Sequence, residues 1–143
     1  MSNLHGYYLE DLSVGMSEVF EKTVTDGDIE SFAAMSGDTN PIHLDDAFAA
    51  ASIFKGRIAH GMLSASFLST IFGTKLPGPG CIYLSQSLRF KAPVRPGDSV
   101  AAKVTVKSIN EAKRRVEFEC SCSVDGNEVL DGEATIMVDR RPS

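Results

Sequence analysis

The chain has 143 residues, a length typical of one domain, and 43% of them are hydrophobic while 23% are charged. This composition supports a folded core and excludes extensive disorder. Lys and Arg total 14 against 19 Asp and Glu, and the resulting net charge of -5 disfavours a dedicated nucleic-acid-binding protein. We expect a single domain over residues 1–143.

The cysteines and the apolar segments indicate the cellular compartment in which the protein is found. Cys81, Cys120 and Cys122 are odd in number and form no evident disulfide framework, so a reducing environment is the simplest interpretation. The N-terminus lacks the basic and apolar regions of a signal peptide. Residues 58–74 are mostly apolar but are interrupted by Gly, Ser and Thr, and they are short for a membrane span. We therefore expect a cytoplasmic protein outside membranes.

The first elements are predicted by strand and capping patterns. Residues 16–24 predict a strand, and Thr25 predicts the N-cap of a helix with Asp26 and Asp28 in its first turn. Gly37 predicts the end of that helix, because glycine readily adopts the left-handed conformation found after a last helical turn.

The centre of the chain contains a predicted loop and two predicted helices. Residues 37–43 are rich in turn-forming residues and predict a loop. A short helix is expected over residues 45–52. Residues 61–75 predict a helix that is apolar or small on nearly every side, which is typical of a buried helix.

The hydrophobic period changes to two after residue 80, which indicates strands. Apolar and polar residues alternate over 82–90, 100–107, 115–124 and 130–138. Residues 125–127, Asp-Gly-Asn, indicate a hairpin turn. Antiparallel strands with one wet face need an apolar cover on the other. The helix at 61–75 supplies it, so we predict an α+β hot-dog domain, an antiparallel β-sheet wrapped around a central α-helix.

Asp38 and His43 are the first candidates for chemistry. A carboxylate beside an imidazole can bind a water molecule and move its protons near neutral pH. A turn at Asn40 and Pro41 would bring the two side chains together, because proline restricts the residue before it to extended geometry. The alternative is structural: an aspartate that caps the loop and a histidine bonded to the backbone.

Gly61 opens the buried helix, and two interpretations of it stay open. The first N–H groups of a helix lack internal partners, so the Gly61 N–H could polarise a ligand carbonyl as an oxyanion hole does. Alternatively, the glycine only permits close packing between helix and sheet. For His60, which precedes it, we expect a neutral structural role, because a cation is unfavourable at a helix N-terminus.

Other site types are weakly supported. With three histidines and no short-spaced ligand pair on one helix face, we expect no metal site. Gln86 falls on the apolar side of its strand, where a buried amide either holds a neighbouring loop or contacts a ligand. Nucleotide-binding glycine motifs are absent from the sequence, so a nucleotide cofactor is not expected.

Two segments carry a resemblance to a known family. Residues 32–49 read FAAMSGDTNPIHLDDAFA, and residues 58–63 read IAHGML. Together they resemble the hydratase motif of MaoC-like (R)-specific enoyl-CoA hydratases, which are hot-dog domains that dimerise. The resemblance extends through residues 76–98 and is weakest in the first fifteen residues and the last strands.

The resemblance implies roles for several residues. Asp38 and His43 would hold and activate the water, Asn40 would line or brace the site, and the Gly61 N–H would bind the thioester oxygen. Ser69 matches a serine that the family places near the catalytic pair. It lies eight residues after Gly61, so it could support the site from the same side of the helix.

The expected reaction is hydration of a trans-2-enoyl-CoA to an (R)-3-hydroxyacyl-CoA, and its reversal. No metal or redox cofactor is expected, because an enoyl thioester is already an activated acceptor. A hot-dog dehydratase acting on acyl carrier protein is one alternative. A thioesterase is another, although residues 61–74 lack the carboxylate that it should carry there. The non-enzyme alternative is an acyl-binding scaffold domain.

The edges of the predicted sheet and the net charge of the chain lead us to expect two kinds of binding partner. A homodimer would protect the edges of a single hot-dog sheet. With a net charge of -5, locally concentrated positive charge is needed to hold CoA phosphates. The candidate groups are Lys55 with Arg57, and Arg89 with Lys91 and Arg95.

Overall fold

A computed structural model describes residues 4–143 and shows one antiparallel sheet with helices on one side of it. In chain order the elements are β1 (Ser17–Thr23), α1 (Asp26–Ser36), α2 (Pro41–Leu44), α3 (Asp46–Ala50), α4 (Gly61–Thr74), β2 (Ile82–Gln86), β3 (Arg89–Phe90), β4 (Ser99–Asn110), β5 (Arg115–Val124) and β6 (Asn127–Met137). The strand order is β1-β4-β5-β6-β2, and β3 also pairs with β6.

Helix α4 lies at the centre of the fold. It contacts β1, β4 and β5, and its residues Leu63, Phe67, Leu68, Ile71 and Phe72 are all buried. The sheet supplies the other half of the core through alternate residues of its strands, such as Val104 and Phe118. The hot-dog class predicted from the sequence is therefore confirmed.

The predicted turns that position these elements are also confirmed. Thr25 caps α1: its side chain accepts a hydrogen bond from the N–H of Asp28, and Asp28 bonds back to the N–H of Thr25. Gly37 ends α1 with a φ of 81°. Asp125 and Gly126 join β5 to β6 with φ angles of 51° and 81°, as the tightest hairpin turns require.

The strand predicted over residues 82–90 is interrupted. It splits into β2 and β3, and a register shift falls between Tyr83 and Ser85. Tyr83 is 39% exposed and its ring packs edge-on against the core residue Phe72, whereas Ile82 is 54% exposed and Leu84 is 42% exposed. The simple alternation is thus wrong at this edge of the sheet, since a bulge reverses which residues face the core.

The segment before β1 is fastened to the residues that follow β6. The Nε2 atom of His5 lies 3.1 Å from an oxygen of Asp139, and its Nδ1 atom lies 2.9 Å from the carbonyl oxygen of Gly6. The His5 ring also stacks on Tyr8, with 4.1 Å between centroids. Among residues 4–143, no helix combines the length and apolar character needed to cross a bilayer.

Candidate active site

The candidate site is built on the turn that follows α1. After Gly37, the backbone N–H of Asp38 donates to Ser36 Oγ over 3.1 Å. The Asp38 carboxylate in turn accepts the N–H of Asn40 over 3.3 Å. These bonds form a local turn of the kind that aspartate stabilises with its own side chain. They leave the Asp38 side chain exposed at the protein surface.

His43 lies on a helix rather than in the predicted loop. Pro41 occupies the first turn of α2, where its fixed φ is favourable and its missing N–H is not needed. The Asn40 side chain caps this helix by accepting the N–H of Ile42 over 3.1 Å. The prediction of a loop through residue 43 is therefore wrong in its last part, because proline and asparagine together start a one-turn helix there.

The hydrogen bond of His43 fixes its tautomer. Its side chain is buried, and Nδ1 lies 2.8 Å from the carbonyl oxygen of Ile58. A carbonyl oxygen can only accept, so Nδ1 carries the proton when the ring is neutral. Nε2 then keeps its lone pair, and His43 is able to accept a proton from a bound water molecule.

His60 joins the two candidate residues. Its ring stacks on that of His43, with 3.7 Å between centroids and 24° between planes. Its Nε2 lies 2.9 Å from the backbone carbonyl oxygen of Asp38. Ligand atoms of Asp38, His43 and His60 lie within 4.8 Å of one another. The structure thus brings together the pair that the sequence singled out, and His60 contacts both of them.

The three residues of this cluster are of types that can bind a metal ion. A hydrogen bond to a backbone carbonyl already engages one nitrogen of each histidine. The expectation that no metal is required stays a prediction.

Gly61 begins α4 directly beside this cluster. Its N–H makes no hydrogen bond within residues 4–143, as expected for the first residue of a helix. A β-carbon added to Gly61 would lie 2.6 Å from Cε1 of Phe90, so the phenyl ring packs directly on the glycine. Gly61 is thus closely packed, and its free N–H keeps the oxyanion interpretation open; both interpretations stay predictions.

A cavity of about 390 Å³ adjoins Gly61. Its walls are mainly apolar, and they come from the segment before α4, the start of α4, and the β3 region. The lining includes Phe54, Ile58, Met62, Phe90, Lys91 and Val94. Such a space, with Gly61 in its wall, suits an apolar chain attached to a carbonyl group.

Ser69 and Gln86 stand apart from the cluster. Ser69 is exposed on α4, roughly 12 Å along the helix axis from Gly61 at 1.5 Å per residue. It makes no hydrogen bond to Asp38 or His43 in the described part of the chain. Gln86 accepts a hydrogen bond from the Tyr83 hydroxyl and donates one to the Ser87 carbonyl over 2.8 Å. Their roles at the site remain predictions.

The basic residues proposed to hold CoA are differently engaged. Arg57 is paired with Asp26 at 2.8 Å and Asp46 at 2.6 Å, and these carboxylates raise the pKa of its guanidinium. Arg95 donates to the carbonyl oxygens of Phe54 and Gly56. Both arginines therefore make contacts that stabilise the fold. Of the candidates, Lys91 is the one that lines the cavity.

Comparison with known proteins agrees with this geometry. A family profile described as a MaoC-like domain matches residues 13–128. The chain is 52% identical to the (R)-specific enoyl-CoA hydratase of Rhodospirillum rubrum over 135 residues, which is 94% of each chain. It is 46% identical to the 3-hydroxybutyryl-CoA dehydratase of Methylorubrum extorquens over 141 residues, covering 99% of this chain and 90% of that protein.

A solved structure extends the agreement to three dimensions. The unliganded R-hydratase PhaJ1 from Pseudomonas aeruginosa superposes with a TM-score of 0.90 at 42% identity, and the match covers 96% of this chain and 89% of that one. The family resemblance expected from residues 32–49 and 58–63 is confirmed. The chain belongs to the family of proteins with a MaoC-like domain.

Proposed function

We propose that this protein is an (R)-specific enoyl-CoA hydratase, which adds water to a trans-2-enoyl-CoA and gives an (R)-3-hydroxyacyl-CoA. The observation that carries the proposal is the placement of Asp38 and His43 beside the free N-terminus of α4. The 52% identity to the Rhodospirillum rubrum hydratase supports it.

The proposed mechanism begins with the thioester. The Gly61 N–H donates a hydrogen bond to the thioester oxygen and withdraws electron density, so that C3 of the conjugated double bond becomes electrophilic. The positive end of the α4 dipole acts in the same direction. The acyl chain then occupies the apolar cavity that adjoins Gly61.

The water-activating step uses the two other residues. A water molecule bound between the Asp38 carboxylate and Nε2 of His43 attacks C3, and one of the two groups takes its proton. A proton is then delivered to C2, so that OH and H have been added across the double bond. His43 is prepared for this step because the Ile58 carbonyl holds its proton on Nδ1.

Asn40 is proposed as a brace of the pair. Its backbone N–H bonds to Asp38, and its side chain caps the helix that carries His43. One residue thus fixes both the carboxylate and the element that presents the imidazole. This arrangement favours the bracing interpretation over direct contact with the substrate.

The alternative functions differ from the proposed one in their substrate or in what happens to it. A dehydratase specific for acyl carrier protein would use the same chemistry on a different thioester carrier, and a thioesterase would release free CoA. An acyl-binding scaffold would bind the substrate without turning it over. The intact Asp38–His43 pair argues against a scaffold, and the lack of a carboxylate over Gly61–Thr74 argues against a thioesterase.

The test is a spectrophotometric hydration assay with enoyl-CoA thioesters of graded chain length and with the matching acyl-carrier-protein thioesters. We expect loss of the enoyl absorbance with CoA substrates, an (R) product on chiral analysis, and unchanged rates after dialysis against EDTA. Release of free CoA, an (S) product, or turnover confined to the carrier-protein thioesters would refute the proposal.

We further propose a cytoplasmic homodimer. The exposed apolar residues Ile82, Leu84 and Phe90 lie on the edge strand β2 and on β3, where a second copy would extend the sheet and cover them. The thiols of Cys81, Cys120 and Cys122 are free, which is usual in reducing compartments.

A further inference from the structure

We propose that His60 is a positioning residue for the Asp38–His43 pair, which it holds through its Nε2–H rather than through its volume alone. The inference rests on the proposed hydratase function. It assigns to His60 the task of fixing the backbone of Asp38 and the ring plane of His43 at the same time.

The contact with Asp38 is polar and directional. Nε2 of His60 lies 2.9 Å from the Asp38 carbonyl oxygen, and since a carbonyl only accepts, the nitrogen must donate. This bond joins residues 22 positions apart, whereas the other hydrogen bonds of this turn within residues 4–143 are short-range. The carboxylate sits on the same residue, so its position depends on this bond.

The contact with His43 is a ring stack. His60 lies between His43, 3.7 Å away, and Phe32, 4.8 Å away, and it is 3% exposed. His43 is therefore held on one side by the Ile58 carbonyl and on a face by His60. The remaining freedom of the His43 ring is small, which suits a group that must meet a water molecule at one nitrogen.

The second nitrogen of His60 shows that packing alone does not explain the residue. Nδ1 is buried and has no hydrogen-bond partner within residues 4–143. Burying an unpaired polar atom is unfavourable, and phenylalanine or leucine would fill this space without that penalty. The histidine is explained if its other nitrogen has a task, and the bond to Asp38 is that task.

The hydrogen bond to Asp38 needs only a neutral His60. The ring is buried against another imidazole and stands at the N-terminus of α4, where positive charge is unfavourable. A neutral ring with its proton on Nε2 satisfies the Asp38 carbonyl and leaves the positive end of the α4 dipole free for the thioester oxygen.

Two substitutions separate the hydrogen bond from the volume. His60→Phe keeps an aromatic ring between Phe32 and His43 but removes the N–H. His60→Gln keeps an N–H donor and removes the ring. We expect His60→Phe to lower kcat about 10- to 100-fold, as small misplacements of catalytic groups do, with KM unchanged. We expect His60→Gln to retain more activity than His60→Phe.

The opposite order of activities would overturn the proposal, because a residue needed only for packing tolerates Phe better than Gln. Val116→Ala is the matched control for stability: Val116 is fully buried in β5, away from the site. It should lower the melting temperature without changing kcat. Comparing melting temperatures of all three variants separates misfolding from mispositioning.

A second measurement does not depend on turnover. Nitrogen-15 NMR of the wild-type imidazoles at neutral pH reports which ring nitrogen carries the proton. We expect His60 to be protonated on Nε2 and His43 on Nδ1. An Nδ1–H tautomer of His60 would overturn the proposal even if the protein is an active hydratase. If the wild-type protein shows no hydration, the proposed function fails while the tautomer still tests the geometry.

Discussion

The phenyl ring of Phe90 packs against Gly61 so closely that a β-carbon on Gly61 would lie 2.6 Å from Cε1 and 2.7 Å from Cδ1 of Phe90. Gly61→Ala therefore forces either the ring or the start of α4 to move. A displaced N–H would no longer point at the thioester oxygen. We expect kcat for enoyl-CoA hydration to fall by about 10²-fold, the scale of a lost oxyanion-hole donor.

The same contact supplies the control. In a Phe90→Ala background the added methyl group has room, so Gly61→Ala should lower kcat much less than it does in the wild type. A double-mutant cycle measures this coupling directly. An equal loss in both backgrounds would mean that the Phe90 contact does not explain the need for glycine.

The water-activating pair gives the second prediction. Asp38→Ala and His43→Ala should each lower kcat by about 10² or more. The double variant should be little worse than the worse single one, because residues that act as a unit are not additive. Full activity of either single variant with crotonyl-CoA would contradict the assignment.

Asp45→Ala is the matched control for this pair. Asp45 is a carboxylate on the same segment, and its side chain caps α3 by accepting the N–H of Phe48 over 2.9 Å. Its loss should lower the free energy of unfolding by about 1 kcal/mol and leave kcat unchanged.

Much of this site was predictable from sequence because its determinants are local. Thr25 caps α1 through its side chain and Gly37 ends it through its backbone conformation, so the helix that precedes Asp38 follows from residue type and spacing. The one-turn helix α2 does not follow from the turn residues, because these also suit a loop. The Asn40 cap and Pro41 at the first position are the signal that indicates it.

The contacts that complete the site are not local, and periodicity does not predict them. His60 forms a hydrogen bond with Asp38, which lies 22 residues earlier in the chain. Phe90 packs against Gly61, which is also distant in sequence. The bulge in β2 also reverses the inward face of that strand, which a period-two pattern cannot express. Pairwise contacts of this kind depend on how the sheet closes over α4.

The third prediction concerns the coenzyme. Lys91 lines the cavity wall and is paired at the surface with Glu128 and Asp131. If it also meets the CoA phosphates, Lys91→Glu should raise KM by about 2- to 5-fold, the range of an exposed ion pair, and weaken its salt dependence. kcat should stay constant, because the phosphates are unchanged in the transition state.

Lys113→Glu carries the same charge change on the turn between β4 and β5 and should leave KM unaltered. A similar rise in KM for both variants would mean that overall charge, rather than a contact at Lys91, governs CoA binding.

The fourth prediction concerns assembly. Light scattering at micromolar concentration should give the mass of two chains. Leu84→Asp places a charge on the exposed edge strand β2, and it should shift the protein toward one-chain mass. Val14→Asp, a change at a more exposed position outside the sheet, should not. A wild-type protein with the mass of one chain would refute the dimer.

The fifth prediction concerns the pH dependence of the contact between His5 and Asp139. The pKa of His5 is raised from its ordinary 6.5, first by its hydrogen bond to the Gly6 carbonyl and then by Asp139. Both ring nitrogens face acceptors, so the charged form is favoured in the folded state. The resulting stability is fully present below pH 6.5 and is lost as pH rises through the higher folded value.

His5→Gln removes this titration. Its melting temperature should fall below that of the wild type at about pH 5.5, and the difference should shrink at about pH 8.5. If the difference in melting temperature does not vary with pH, the His5 contact stabilises the protein without the charge on His5.

Helix α4 contributes both to the stability of the fold and to the proposed active site. Six of its side chains belong to the hydrophobic core, and its first residue carries the N–H proposed to polarise the substrate. A designer who enlarges Leu68 or Ile71 to raise the melting temperature would also tilt or slide that N–H, and a slower enzyme would result. Stabilising substitutions are better placed on the outward faces of β4 and β5, where side chains can change without moving the helix.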